Sequence, residues 1–183
     1  EKLDSHPELR KILKAQLEQV QQRLNRELNR ARLSGDALPG ALFDCDAELP
    51  GLLATLNMIH GEHLDLSHVA PKGLLLPWDR EDLLELLGNL LDNACKWADA
   101  EVRLSVVETA QGFELGVEDD GPGIPEDRRD QVLSRGTRLD EQMDGHGLGL
   151  GIVRDIVDTW GGVLRLEESE WGGLKVVIEL PKR

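Results

Sequence analysis

Three short segments hold the residues whose types and spacing could do chemistry. In Gly88-Asn89-Leu90-Leu91-Asp92-Asn93-Ala94-Cys95-Lys96-Trp97, Asn89 and Asn93 stand four apart, so on a helix both amides project from one face. Lys96 follows Asn93 by three and lies on that same side. Two amide oxygens and an ammonium suit a hydrated Mg²⁺ and triphosphate oxygens, because hard cations take oxygen ligands and bridge to phosphate. The same pattern also fits the polar face of a surface helix. The second segment, Glu118-Asp119-Asp120-Gly121-Pro122-Gly123-Ile124, runs acids from a strand end into two glycines around a proline. A carboxylate there can accept a hydrogen bond from an exocyclic amine such as adenine's, and glycine lets the backbone approach a ligand. A tight turn with solvated acids reads equally well. The third segment, Gly145-His146-Gly147-Leu148-Gly149-Leu150-Gly151, opens a helix, where glycine amides form an anion site. It is not the dinucleotide fingerprint, since its third glycine falls at 149 or 151 and no strand precedes it.

These segments need elements to hold them. Asp79 is placed to cap a helix over residues 80–97, with Leu83, Leu84, Leu86, Leu87, Leu90 and Leu91 inward. Residues 101–109 and 112–119 read as strands of a hairpin over Ala110-Gln111. A short helix near 126–133 and an aperiodic stretch over 134–146 follow. Residues 148–160 are apolar at helical spacing and end at Gly161-Gly162, before strands near 163–168 and 174–180. Upstream, 41–44 reads as a short strand and Asp46 as the cap of a helix over 47–60, with Pro50 and Gly51 in its first turn. Strands follow over 63–69 and 73–76. The mixture predicts an α+β fold, a two-layer α/β sandwich with helices on one face of the sheet. Ahead of it, Leu9, Leu13, Leu17, Val20, Leu24, Leu28 and Ala31 form a narrow seam on a helix over 7–33. That seam is expected to pair with another helix, and residues 34–40 read as a linker. The expected division is 1–33, 34–40 and 41–183.

The chain has 183 residues and a formal net charge of −14, which argues against nucleic acid as a partner but not against a locally held nucleotide. No run approaches the roughly 20 apolar residues of a membrane span. Residue 1 is Glu, and the chain reads as part of something longer. Cys45 and Cys95 are the only cysteines and read as free thiols of a reducing compartment. His60, His63 and His68 suggest a metal site only superficially, since a strand puts 63 and 68 on opposite faces. Trp78, Trp160 and Trp171 are expected to pack rather than hold a ligand.

In this order and spacing the three segments resemble the nucleotide-binding boxes of the histidine kinases, within the superfamily of gyrase-type, Hsp90-type and MutL-type ATPases. Residues 89–96 are similar to the asparagine box, Asp119-x-Gly121-x-Gly123 to the first glycine box and 145–150 to the second. Gly172-Gly173 is similar to the last glycine signal. The resemblance covers roughly residues 41–183. Within the family, 89–96, 118–125 and Arg135-Gly136-Thr137-Arg138 look most like PhoQ-type magnesium-responsive sensor kinases. It implies the Bergerat-type ATP-binding fold, with ATP and Mg²⁺ as cofactors. Asn93 is then the principal Mg²⁺ ligand with Asn89 alongside, Lys96 and Arg138 reach phosphates, and Trp97 lies near the adenine or ribose. Asp119 holds the adenine amine, and Gly121, Gly123 and Ile124 shape the base pocket. Residues 130–146 become a mobile lid. Gly145, Gly147 and Gly149 wrap the triphosphate, Leu148 and Leu150 fasten the lid hinge, and His146 reads either as a phosphate contact or as a solvated loop histidine.

The ATPases of the superfamily place a water-activating Glu four residues before the metal-binding Asn. Here that position is Asn89, and an amide is no general base. The resemblance therefore implies phosphotransfer to a histidine on a dimerisation hairpin, with residues 7–33 as that hairpin's second helix and as a homodimer contact. The histidine itself is expected outside this chain. His6 is a decoy, because Pro7 interrupts the acceptor box and no Thr-Pro follows. Leu133 stands where the family often has Phe, and Met143 and His146 depart from the lid pattern. The implied partners are a response regulator and the hairpin domain. The implied place is the cytoplasmic side of an inner-membrane bacterial sensor. Two rival readings stay open: a hydrolytic ATPase of the superfamily, and a nucleotide-sensing or dimerisation module without phosphotransfer.

Overall fold

The structure is a computed structural model that describes residues 42–61, 63–134 and 149–182. The expected helix over 7–33, the linker, His6 and most of the lid lie outside the described residues.

Two short strands, β1 (Phe43–Asp44) and β3 (Leu75–Leu76), pair antiparallel. Between them run helix α1 (Cys45–His60) and strand β2 (Asp65–Val69). Helix α2 (Arg80–Trp97) leads to the hairpin of β4 (Glu101–Glu108) and β5 (Gly112–Asp119). Then come α3 (Glu126–Ser134), α4 (Gly149–Thr159), β6 (Val163–Glu168) and β7 (Leu174–Pro181). The main sheet has the order β2-β4-β5-β7-β6, with β2 parallel to β4 and the other pairs antiparallel.

Alternation along the strands makes one face of this sheet apolar. Val102, Leu104 and Val106 of β4, Leu115 and Val117 of β5, and Val176, Ile178 and Leu180 of β7 are buried. Against them α2 packs Leu83, Leu86, Leu87, Leu90 and Leu91, and α4 packs Leu150, Val153, Ile156 and Val157. Leu84, expected inward, is only half-buried. Each fully buried leucine contributes roughly 1.5–3 kcal/mol, so α2 is fixed firmly over β4 and β5. Trp78 and Trp160 lie in the core with ring centroids 5.4 Å apart, and Trp78 meets Phe113 edge-on at 5.6 Å. The result is the expected α+β sandwich.

The start of α1 differs from expectation. The helix begins at Cys45, and its cap is Asp44, whose Oδ1 accepts from the Asp46 and Ala47 amides at 3.0 and 3.3 Å. Asp46 sits in the first turn and accepts the Gly73 amide at 2.8 Å. Pro50 thus falls one turn inside the helix and costs it one backbone bond. The strand expected over 63–69 is shorter and almost wholly exposed, as suits a sheet edge.

Candidate functional site

Helix α2 starts where its sequence says it should. Asp79 Oδ1 accepts from the Glu81 and Asp82 amides at 2.8 and 3.2 Å, and both of those acids suit the positive end of the helix dipole. This sets the phase that puts Asn89 and Asn93 on one flank. Asn93 is 6% exposed, and none of the hydrogen bonds among described residues engages its amide. Asn89 is half-buried, and its Nδ2 donates to the Glu85 carbonyl at 2.7 Å, leaving its Oδ1 available. Lys96 stands at the far end, with its ammonium 2.8 Å from Asp92 Oδ2. Asp92 Oδ1 is 2.8 Å from His60 Nε2 at the end of α1. Burial raises the Asp92 carboxyl, but hydrogen bonds from Lys96 and His60 bring it below its ordinary value.

The three acids at the end of β5 divide their work. Glu118 points to the open face of the sheet, where it accepts from Arg103 at 2.9 and 2.5 Å and from Ser169 Oγ at 3.0 Å. Arg103 in turn lies 4.7 Å from the ring centre of Trp171 and pairs with Glu170. Asp120 accepts the Asp99 and Ala100 amides at 2.9 and 3.0 Å, clasping the turn between α2 and β4. Asp119 is 3% exposed and faces inward. Its Oδ1 accepts from the Gly121 amide at 2.9 Å and the Leu174 amide at 3.4 Å. Burial pushes its carboxyl above the ordinary range despite those two donors.

Asp119 lines a narrow cleft with Trp97, Pro122, Gly123, Ile124 and Leu174. Its free volume is about 10 Å³, room for about one water. The glycines are there for closeness. A Cβ on Gly121 would lie 2.2 Å from the Trp97 carbonyl oxygen, and one on Gly173 2.1 Å from that of Asp119. Gly123 takes φ +69°, and a Cβ added there would lie 3.2 Å from the backbone of Gly172 and Gly173, so loop and turn pack closely. Arg129 of α3 donates to the Ile124 carbonyl at 3.0 Å and holds the loop from outside.

The fold therefore brings Trp97, Asp119, Gly121, Gly123 and Ile124 together where α2 and β5 end, and places Asn89, Asn93 and Lys96 along α2 ahead of that cleft. Leu150 is buried in the first turn of α4, which Gly149 opens. Arg138, Gly145, His146, Gly147 and Leu148 lie outside the described residues. Sequence reasoning missed three participants. Leu174 supplies an amide and a wall, Ser169 anchors the turn, and His60 reaches Asp92. Only His60 left a signal, as a histidine in the last turn of the helix preceding the acid-amide run.

Residues 78–183 match the family of histidine kinase-, DNA gyrase B- and HSP90-like ATPases, and the chain belongs to it. Its domain is the ATP-binding catalytic domain of the sensor histidine kinase type. The chain is 64% identical over 181 residues to the sensor protein kinase CarS of Pseudomonas aeruginosa, a match spanning 99% of this chain and 41% of that protein. It is 34% identical over 164 residues to the two-component sensor PhoQ of the same species, covering 89% of this chain and 37% of PhoQ. The likeness to PhoQ read from the motifs is thus real, and the likeness to CarS is nearly twice as strong. Among solved structures, the mycobacterial sensor histidine kinase MprB superposes with a TM-score of 0.65 at 29% identity, over 78% of this chain and 97% of that one. The ATP-binding domain of PrrB from Mycobacterium tuberculosis gives 0.65 at 28%, over 80% and 99%. The chain spans about two fifths of the length of the sensor kinases it matches. No helix among the described residues is long and apolar enough to cross a membrane.

Proposed function

We propose that this chain binds Mg·ATP and presents the γ-phosphoryl group to a histidine on a dimerisation hairpin, as the catalytic part of a two-component sensor kinase. The observation that carries this reading is the buried Asp119, with one carboxylate oxygen occupied by two backbone amides and the other left for an exocyclic amine, in a cleft shared with Trp97 at the end of the helix that carries Asn89 and Asn93. Asn93 and Asn89 fit Mg²⁺ in donor type, offering hard amide oxygens from one face. Bound there, the ion supplies charge neutralisation for the phosphates. Asn93 and Asn89 orient that end of the nucleotide, and Lys96 adds a cationic contact. Arg138 and the glycines of the second box close over the phosphates in this reading. Asp119, Trp97 and Ile124 hold and shield the base.

Chemistry in such a site is positioning and electrostatic stabilisation. Asn89 supports transfer over hydrolysis, because it stands where a water-activating carboxylate would be needed and already donates to the helix backbone. The receiving histidine, the response regulator and the membrane sensor belong to the parent protein in this proposal, with residues 1–33 as a fragment of the hairpin and of its dimer contact.

Titration calorimetry tests the reading. Mg·ATP is expected to bind the wild-type chain and to lose that binding in Asn93→Ala and Asp119→Ala. A supplied hairpin domain is then expected to become phosphorylated, with little free phosphate released. A well-folded wild-type chain that ignores Mg·ATP would sink the proposal.

A further inference from the structure

We infer that His60 is a positioning residue for the nucleotide site: acting through Asp92, it sets where the Lys96 ammonium stands relative to the phosphates. The inference deepens the proposed function and rests on reading Lys96 as a phosphate contact.

His60 closes α1, and its Nε2 donates to Asp92 Oδ1 across 2.8 Å. The other oxygen of the same carboxylate lies 2.8 Å from Lys96 Nζ. Asp92 is therefore a bridge with two unequal ends. The His60 side chain is 15% exposed and held between helices, whereas that of Lys96 is 51% exposed. A solvent-facing Lys–Asp pair restrains a lysine weakly, because two flexible side chains must be ordered to make it. Fixing the carboxylate from behind removes half of that freedom and leaves Lys96 a stationary partner.

The direction of the restraint matters. At about 100° per residue, Asp92, Lys96, Asn89 and Asn93 follow one another around α2 within about 100°. Lys96 thus stands between the bridging carboxylate and the two amides. An ammonium has three N–H donors, and Asp92 takes one. Two remain for phosphate oxygens arriving over Asn89 and Asn93. His60 touches no substrate in this arrangement. Its contribution is to keep the Lys96 contact organised before the nucleotide comes.

The test compares Mg·ATP with adenosine by calorimetry, since adenosine keeps the base contacts and lacks the phosphates. Lys96→Met should weaken Mg·ATP about tenfold, and His60→Ala about threefold, a size fitting the partial loss of one ion-pair restraint. Adenosine affinity should stay unchanged in both. His60→Gln, which can still donate to Asp92, should restore Mg·ATP affinity. In a Lys96→Met background, His60→Ala should add nothing, because both act on one contact. If alanine unfolds the chain, His60→Phe keeps the ring volume without the donor and should behave as stated for alanine. Equal losses for adenosine and Mg·ATP, or a His60 effect that survives Lys96→Met, or none at all, overturn the inference. So does an unaffected Lys96→Met, in which case dependence on Asn93 and Asp119 would leave the nucleotide reading standing.

Discussion

Asp119 illustrates what a buried carboxylate does to its own fold. Burial lifts its carboxyl above the ordinary range, so the folded chain holds that proton more tightly than the unfolded chain. Stability relative to a neutral isostere then falls as pH rises from the ordinary aspartate value through the raised one. At neutral pH the ionised Asp119 burdens the fold. Asp119→Asn keeps an oxygen for the Gly121 and Leu174 amides without the buried charge. It is expected to melt higher than wild type at neutral pH, with the gap closing as the pH drops below the ordinary aspartate range. Calorimetry on the same protein should show Mg·ATP binding gone. A variant that melts lower at neutral pH would mean the charge is stabilised by something other than those two amides. The neighbouring Asp120 has the opposite signature: burial raises its carboxyl, but the backbone amides of the α2–β4 turn bring it below its ordinary value.

At the scale of elements, the site depends on how α2 begins and on how the β6–β7 turn closes. Asp79→Ala removes the cap and should cost about 1 kcal/mol, read as a lower denaturation midpoint with unchanged slope. Gly173→Ala puts a methyl group 2.1 Å from the Asp119 carbonyl oxygen. Backbone must give way there, at about 1–3 kcal/mol. Because that movement shifts Asp119 itself, nucleotide affinity should fall further than stability alone accounts for, as paired melts and titrations would reveal. These elements were legible to different degrees. The leucine period and Asp79 announced α2, and alternation announced the β4–β5 hairpin, because both are local patterns. Asp44 escaped notice as a cap because Asp46 offers the same chemistry two residues on. The parallel pairing of β2 with β4 left no local mark, since it is a choice between distant partners. Asn89, Asn93 and Asp119 could be picked out as a group, yet the Leu174 amide could not, because a backbone donor carries no side-chain signature.

For the molecule as a whole, the site is a place where α2, the loop after β5 and the turn before β7 converge. A ligand that binds only this convergence stabilises all of it. Mg·ATP at a hundredfold excess over its dissociation constant should raise the unfolding free energy by about 2.7 kcal/mol. Thermal melts should show the shift with Mg·ATP and lose most of it when a chelator removes the metal. An equal shift with chelator present would count against Asn89 and Asn93 as metal ligands.

The pairing of β5 with β7 carries one more consequence. Asp119 and the Leu174 amide meet across a sequence separation of 55 positions, whereas β4 and β5 meet across a tight turn. Short loops close early and long ones late, because the entropy of closure is lost before the contact is gained. A growing or refolding chain is therefore expected to make the hairpin before the Asp119 cleft. Until β7 arrives, Asp119 has one backbone donor and no opposite wall. Under the proposed function, a half-made copy therefore has no finished pocket in which to hold a nucleotide.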